Sequence, residues 1–508
     1  MGIHHFHTWL REKYPEAFID SGSKKKYDHI YIDLNFMLHL SMFRNTNEKM
    51  FLSYLYKQLD DVITKYTVLK SVVIAIDGPS PYSKINLQRK RRQDMINPDA
   101  DYTKLSSLCL TPGTQFMLNL IKHLDGYIKT RKKWFRYRTV KFQVSATTIP
   151  DEGEIKLLNQ LIKNGHNNNY ESHLIVGNDA DLIVMAMGLK NIYNIDILVK
   201  NKRQYDLISI PKIIVSHNTK YGIIETDSIS LLKNCSIRQD FMVLSIMMGN
   251  DYFPKVAFTK FDSLWHAYKQ TIDSTRTYLT NGSSFNIIAL KKFFTNIVLN
   301  LSPQYKKIQF KNYIDQDEDT LKGYLEGLLW CTDMYMNGEC PMYDYEYNRT
   351  RAINPANMLF FLETLKEKII VPRSDIEPLD AETCALLLLP KKAQCLLPKK
   401  YYPLQDTELK RYYEMEDCII CSTHRKEISN LNKEIYALRT LKKKCDKESA
   451  KVGKLHHEFT DHKKIHITDL TINKIRNIVE VYIRKQQEKE KEKEKDKLKD
   501  KLKDKDFI

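Results

Sequence analysis

Over the first 255 residues, short apolar, β-branched runs alternate with longer stretches of helical period. The runs are 29–33 (HIYID), 71–77 (SVVIAID), 140–144 (VKFQV) and 173–177 (HLIVG). Such short hydrophobic runs suit strands covered on both faces. Helical patterns, such as 48–70 and 155–163, lie between them. This alternation predicts an α/β fold, a mostly parallel sheet flanked by helices. From about Pro254 to Lys400 the pattern turns mainly helical, and from about Leu409 to Arg484 it is Lys-rich and helical. The end, KQQEKEKEKEKDKLKDKLKDKD, has nothing with which to form a core, so a disordered tail or a solvated single helix is expected. The expected divisions are 1–255, 256–408, 409–484 and 485–508, the last a disordered charged tail.

No run approaches the roughly 18 apolar residues of a membrane span. MGIHHFHTWLREKYPE has no apolar h-region, and Phe6 stands where a myristoylation signal needs Ser or Thr. A non-membrane, unsecreted protein is expected. The net charge is +17, and the tail from Lys485 to Asp506 has ten Lys against eight acids, so +15 belongs to the rest of the chain. A body this basic suggests a polyanionic partner, most commonly nucleic acid. Nine scattered cysteines fit a reducing compartment. Cys418, Cys421 and His424 have the spacing of half a zinc site, with His456, His457 or His462 to complete it. No second spaced pair exists, and idle thiols are expected.

The acids carry the chemistry. Asp33 and Asp77 end the first two runs, and Asp179 and Asp181 follow the HLIVG run. In an open parallel sheet these positions share the rim at the carboxyl ends of the strands. Glu152 and Glu154 precede a helix after the third run, and Asp251 follows the apolar stretch FMVLSIMMGN. Seven carboxylates crowded together would raise one another's pKa steeply unless cations intervened. Oxygen-only ligation selects Mg²⁺ or Mn²⁺, and two such ions about 4 Å apart are the usual arrangement for phosphodiester hydrolysis. The chain has only 16 glycines, about 3% against roughly 7% on average, yet Gly78, Gly113, Gly153, Gly177 and Gly249 all lie in or beside these motifs. After Asp77, Lys84, Gln88, Arg91 and Arg92 recur at i, i+4, i+7 and i+8, one face of a helix. An ammonium, an amide and two guanidinium forks suit a terminal phosphate. Arg89 and Lys90 point elsewhere and are expected to meet backbone phosphates.

These motifs, in order, resemble the XRN family of 5′→3′ exoribonucleases: MGIHHFHTWLREKYP, YIDLNFMLH, IAIDGPSPYSKINLQRKRR, LTPGTQFM, PDEGEIKLLN, VGNDADLIVMAMGL and MMGNDYFP. YLEGLLWCTDMYMNGECPMYDYEY and LLLLPKKAQCLLPKKYYPL extend the likeness through about residue 405. The resemblance implies a PIN/flap-nuclease-like core, with 1–255 as the nuclease domain and 256–408 as the helical second conserved region. It implies that Asp33, Asp77, Glu152, Glu154, Asp179, Asp181 and Asp251 bind two Mg²⁺ or Mn²⁺ ions and catalyse. It implies that Lys84, Gln88, Arg91 and Arg92 hold the 5′-monophosphate and that His39 stacks on the leading bases. The family's stacking tryptophan stretch reads Cys340-Pro341-Met342-Tyr343-Asp344-Tyr345 here, so Tyr343 or Tyr345 is expected to substitute. Asp151 stands where a glycine is usual, and Ile155 where a histidine is.

The expected activity is processive hydrolysis of 5′-monophosphorylated single-stranded RNA to nucleoside 5′-monophosphates, in RNA decay, by a monomer in the cytoplasm or nucleus. The rivals are a flap-endonuclease-like DNA nuclease and an inactive RNA-binding scaffold. The stretch GNDYFPKVAFTKFDSLWHAY lacks the Gly-x-Gly of a duplex-gripping hairpin, which disfavours the first.

Overall fold

The computed structural model describes residues 3, 6–21, 25–44, 47–96, 101–165, 170–192, 194–201, 204–222, 235–303, 316–347, 352–440, 447–449, 451–452, 454–455 and 472–503. Two compact units are present. The first comprises residues 1–87 and 105–381, the second residues 88–104 and 382–508.

The first unit contains one seven-stranded sheet: β1 (Phe18–Ile19), β2 (Lys26–Asp33), β3 (Thr67–Ala75), β4 (Lys141–Ser145), β5 (His173–Val176), β6 (Ile195–Asn201) and β7 (Gln204–Ser209), in the order β1-β7-β6-β5-β2-β3-β4. The five strands from β6 to β4 are parallel, while β7 and β1 add an antiparallel edge. The four runs read from sequence are β2 to β5.

Register explains their unbroken apolar character. Tyr31 pairs with Val73 on one side and Ile175 on the other, and Ile175 with Ile197. These rings and branches join one core with Leu157, Leu158 and Leu161 of the helix Gly153–Gly165 and with the helix Asp181–Gly188. The alternate residues Ile30, Ile32, Val72, Ile74 and Leu174 are equally buried outside that core. The helix Glu48–Lys65 packs on β3, and Gln115–Arg131 on β4. The central strands are therefore covered on both faces.

From β2 the chain steps outward to β3 and β4, then returns to lay β5 on the other side of β2. Neighbouring strands that depart in opposite directions leave a crevice at their carboxyl ends. Asp33 ends β2 and Asp179 follows β5, so both acids flank that crevice. The helices Phe261–Thr275, Ile287–Asn300, Glu318–Asn337 and Pro355–Thr364 complete the first unit after the sheet.

In the second unit, Tyr401, Leu404 and Tyr413 are buried. Tyr412 donates its hydroxyl to the Leu387 carbonyl at 3.1 Å, and Tyr482 to that of Lys400 at 2.9 Å. Residues 485–503 of the charged tail lie within the helix Ile472–Lys503, one of the two forms expected for it. Cys418 is half-buried, and His424 Nδ1 lies 2.9 Å from the Ile420 carbonyl. The side chain of Cys421, and His456, His457 and His462, lie outside the described residues.

The N-terminal helix Phe6–Lys13 is fixed by aromatic packing: Trp9 stacks on Trp265 at 5.7 Å and on Phe261 at 4.8 Å. Beside it His217 is fully buried, with Nδ1 2.9 Å from the Tyr14 hydroxyl. Burial, then the nearby Lys220, pushes this imidazole down to about 3. In the unfolded chain the ring titrates near 6.5. A depressed folded pKa means stability present above about 6.5 and lost as pH falls towards 3, at about 1.4 kcal/mol per pH unit for one proton. We expect His217→Gln, which keeps an acceptor for Tyr14, to flatten the acid limb of the unfolding free energy between pH 6 and 4 in denaturant titrations. Parallel limbs for the two proteins would contradict this.

Candidate active site

The seven acids arrive on five separate segments; six of them fall into three linked groups, and Glu154 stands beside these. In the first, Asp33 and Asp77 are joined by one amide. Asn35 donates Nδ2 and its backbone N–H to Asp33 Oδ1, both at 3.1 Å, and Nδ2 also reaches Asp77 Oδ1. The Asn35 side-chain Oδ1 accepts the Asp77 N–H at 3.2 Å, and Asp77 Oδ1 takes the Gly153 N–H at 2.7 Å. A Cβ on Gly153 would sit 3.0 Å from both Asp33 Oδ1 and Asn35 Nδ2, so glycine lets the helix start press against both acids.

In the second group, Lys84 Nζ pairs with Glu152 and, at 3.2 Å, with Asp251, all three being largely buried. Tyr252 donates its hydroxyl to Glu152 Oε2 at 2.6 Å. Gly249 turns the chain towards Asp251 at a φ of +94°, a conformation that glycine takes without strain. In the third, the Asp181 N–H donates to Asp179 Oδ1 at 3.1 Å, and Tyr335 donates to Asp181 Oδ2 at 3.0 Å. Glu154 is buried at the start of the helix Gly153–Gly165.

The groups act on one another electrostatically. Burial, then Asp77 and Asp179, pushes the Asp33 carboxyl up to about 8. Burial and Glu152 hold Glu154 well above the usual carboxylate range, and burial and Asp179 do the same to Asp181. Burial also raises Glu152, against the pull of Lys84. Burial alone would lower the Lys84 ammonium, yet Glu152, Asp251 and Glu154 keep it well above its ordinary value. Too much negative charge is gathered here for one ammonium to neutralise.

The donor set consists of carboxylate oxygens, and Asp181 Oδ1 is buried without a hydrogen-bond partner. That chemistry fits hard divalent cations. Among the described residues, no three His, Cys, Asp or Glu side chains stand close enough to enclose a metal ion as they are placed.

The remaining sequence candidates are distributed as follows. Lys84 belongs to the first unit; Gln88, Arg91 and Arg92 belong to the second, all on the helix Tyr82–Asp94. Arg89 was expected on phosphates. It is buried instead, donating to the carbonyls of Leu387 at 2.8 Å and Tyr412 at 3.0 Å, with its guanidinium 3.7 Å over the Tyr412 ring. His39 is exposed on the helix Asn35–Arg44. Tyr343 is half-buried and donates to Asp151 Oδ2 at 2.9 Å. Tyr345 is buried, its ring stacked 5.2 Å from Trp330 and its hydroxyl donating to the Gly323 carbonyl at 2.6 Å. Of the two tyrosines, Tyr343 is thus the one with ring surface to offer. Asp151 has a φ of 78°, the left-handed region, which explains why glycine suits that position.

Sequence reasoning passed over Asn35, Lys156, Tyr252 and Tyr335. Asn35 and Tyr252 lie beside Asp33 and Asp251, which was the only available signal. Lys156 is buried and donates to the Ile76 and Ala146 carbonyls at 2.7 and 2.9 Å, bracing the loop that carries Asp77. Burial pushes its ammonium down to about 8, against Asp77 and Asp151.

With this geometry in place, comparison with known proteins adds a lineage. Residues 1–201 match the family described as XRN 5′-3′ exonuclease N-terminus. 5′-3′ exoribonuclease 1 of Homo sapiens is 23% identical over 349 residues, covering 58% of this chain and 20% of that protein. Its counterpart in Saccharomyces cerevisiae is 24% identical over 366 residues, covering 61% and 23%. 5′-3′ exoribonuclease 2 of Debaryomyces hansenii is 23% identical over 386 residues, covering 58% and 38%. Residues 1–201 are thus similar to the XRN N-terminal domain, and the chain spans about a fifth to a quarter of the exoribonuclease 1 relatives it matches. The catalytic core of Rad2 in complex with DNA substrate superposes at a TM-score of 0.37 with 13% identity, covering 76% of this chain and 99% of that one, too loosely to bear on function.

The raised Asp33 pKa means that ionising this carboxyl costs stability as pH climbs from about 4 through 8. Asn35→Asp would put a third carboxylate between Asp33 and Asp77 in place of a donor. We expect it to lower the unfolding free energy by about 1–3 kcal/mol in chelator. The loss should be larger at pH 8 than at pH 5, as read by denaturant titration; an equal loss at both would contradict the shared amide.

Proposed function

We propose that the protein is a 5′→3′ exoribonuclease that removes nucleoside 5′-monophosphates from 5′-monophosphorylated single-stranded RNA. The observation that carries this reading is the gathering of seven acids from five segments at one switch-point crevice, within a chain whose residues 1–201 match the XRN N-terminal family. The names of its relatives support the polarity and the RNA substrate.

Asp33, Asp77, Glu152, Glu154, Asp179, Asp181 and Asp251 would hold a pair of Mg²⁺ or Mn²⁺ ions. Such ions supply an activated water and charge stabilisation at the scissile phosphate. The chain's own residues do the rest. Asn35 and the Gly153 N–H fix the Asp77 carboxylate, and Tyr252 and Tyr335 fix one oxygen each of Glu152 and Asp181. The Lys84 ammonium, bonded to Glu152 and Asp251, keeps positive charge at the crevice before any cation arrives. On the grounds of helical spacing, Lys84, Gln88, Arg91 and Arg92 take the terminal phosphate, with His39 and Tyr343 stacking on the leading bases. A site built for one phosphate rejects a cap or triphosphate by size and charge. Each cut leaves another 5′-monophosphate, so the strand can advance. RNA decay in the cytoplasm is the setting that this chemistry suits.

End-labelled single-stranded RNA with 5′-monophosphate, 5′-hydroxyl or capped ends tests the reading. With Mg²⁺ we expect mononucleotide release from the monophosphate substrate alone, and none with chelator. Asp179→Ala should abolish release while RNA still binds. Arg91→Glu should erase the preference for the phosphate. Equal decay of all three ends would contradict the proposal.

A further inference from the structure

Residues 126–150 carry seven Lys or Arg and no acid. They link the helix Gln115–Arg131 to β4, and their middle forms a rigid aromatic turn. Tyr137 is fully buried, its hydroxyl donating to the Ile63 carbonyl at 2.8 Å and its ring edge-on to Phe142. Trp134 stacks over Tyr137 at 5.9 Å and 25°. Arg131 lies 5.0 Å from the indole and is itself paired with Asp60, its Nε reaching Asp60 Oδ1 at 2.7 Å. On this base Phe135 is 85% exposed, with the Arg138 guanidinium 5.7 Å from its ring. Lys132, Lys133, Arg136, Arg138 and Lys141 are also exposed.

A phenylalanine so exposed gains nothing for the fold, and five neighbouring cations repel one another. A partner that relieves both must offer flat apolar faces and regularly spaced negative charge. Single-stranded nucleic acid does this, through bases and phosphates. We infer that this turn is a second single-stranded RNA contact, in which a base stacks on Phe135 while Lys132, Lys133, Arg136 and Arg138 hold adjacent phosphates. The contact is separate from the active crevice. Lys141 begins β4, whereas the acids lie beyond the opposite ends of the parallel strands. Five residues at about 3.3 Å each put on the order of 15 Å between them. The contact therefore acts on RNA remote from the 5′ end under attack, raising the effective concentration of the strand between cuts. The inference rests on the exoribonuclease reading above.

The test uses the full chain in chelator, with 5′-monophosphate RNAs of about 6 and about 25 nucleotides, lengths chosen to occupy one site or both. The variant Phe135→Ala/Lys132→Glu/Arg136→Glu alters only exposed side chains. We expect it to bind the long RNA about tenfold more weakly or worse, with the salt slope reduced by about 1.4 for two lost phosphate contacts. Binding of the short RNA, and its hydrolysis in Mg²⁺, should not change. Photocrosslinking of 4-thiouridine RNA to the unmodified protein should label the tryptic peptide containing Phe135. Unchanged affinity for the long RNA would overturn the inference. So would binding to phosphatidylserine vesicles that the variant loses while its RNA affinity stays the same. If the short RNA is not hydrolysed by the unmodified protein, the exoribonuclease reading fails; if it is hydrolysed and the variant binds long RNA normally, the second contact alone fails.

Discussion

Burying several carboxylates together is the constraint to which the rest of the molecule answers. Each would be cheaper in water, and each raises the others' pKa. Their backbone positions are nevertheless set by elements that form for other reasons: β2 and β5 by apolar pairing, the helix Gly153–Gly165 by its leucine face, and Asp251 by the turn at Gly249. The sheet supplies the energy that the acid cluster consumes. Asn35, Lys84, Tyr252 and Tyr335 then limit the repulsion by sharing donors among the acids. A cluster organised this way is poised to gain from added positive charge, as a phosphodiester-cleaving centre requires.

The helix Tyr82–Asp94 shows how one short sequence serves two purposes. Lys84 is bonded to acids of the first unit, while Arg89 is sunk among Leu387, Tyr412 and Tyr413 of the second. A run of basic residues on a helix reads as a solvated face, but here burial selects among them. Arg89 can be buried because its guanidinium finds two carbonyls and two aromatic faces, partners that a lysine would satisfy less completely.

The parallel centre of the fold was legible because strands buried on both faces must be continuously apolar. The edge was not. β6 and β7 carry Asp196, Lys200 and Asp206, and β6 is stabilised by contacts invisible in one dimension, such as Tyr27 and Lys25 on Asp196 at 2.7 and 3.1 Å. The helix read as 48–70 stops at Lys65, because Thr67 and Val68 begin β3. At the site, the acids could be read from their positions at strand ends. Their partners could not: Tyr335 sits 154 residues from Asp181, and Arg89 faces residues some 300 positions away. Tyr343 and Tyr345 are alike in sequence and differ only in packing, one ring lying on Trp330 and the other tied to Asp151.

The central claim is that this crevice exists to hold divalent cations. It is tested most directly by titrating the metal-free protein with Mn²⁺ and counting bound ions by electron paramagnetic resonance. Saturable binding of two ions, tightening as pH rises because the raised carboxyls must first lose their protons, and abolished by Asp179→Ala together with Asp33→Ala, is the result the account predicts. Binding that is absent, or that survives removal of both aspartates, would contradict it.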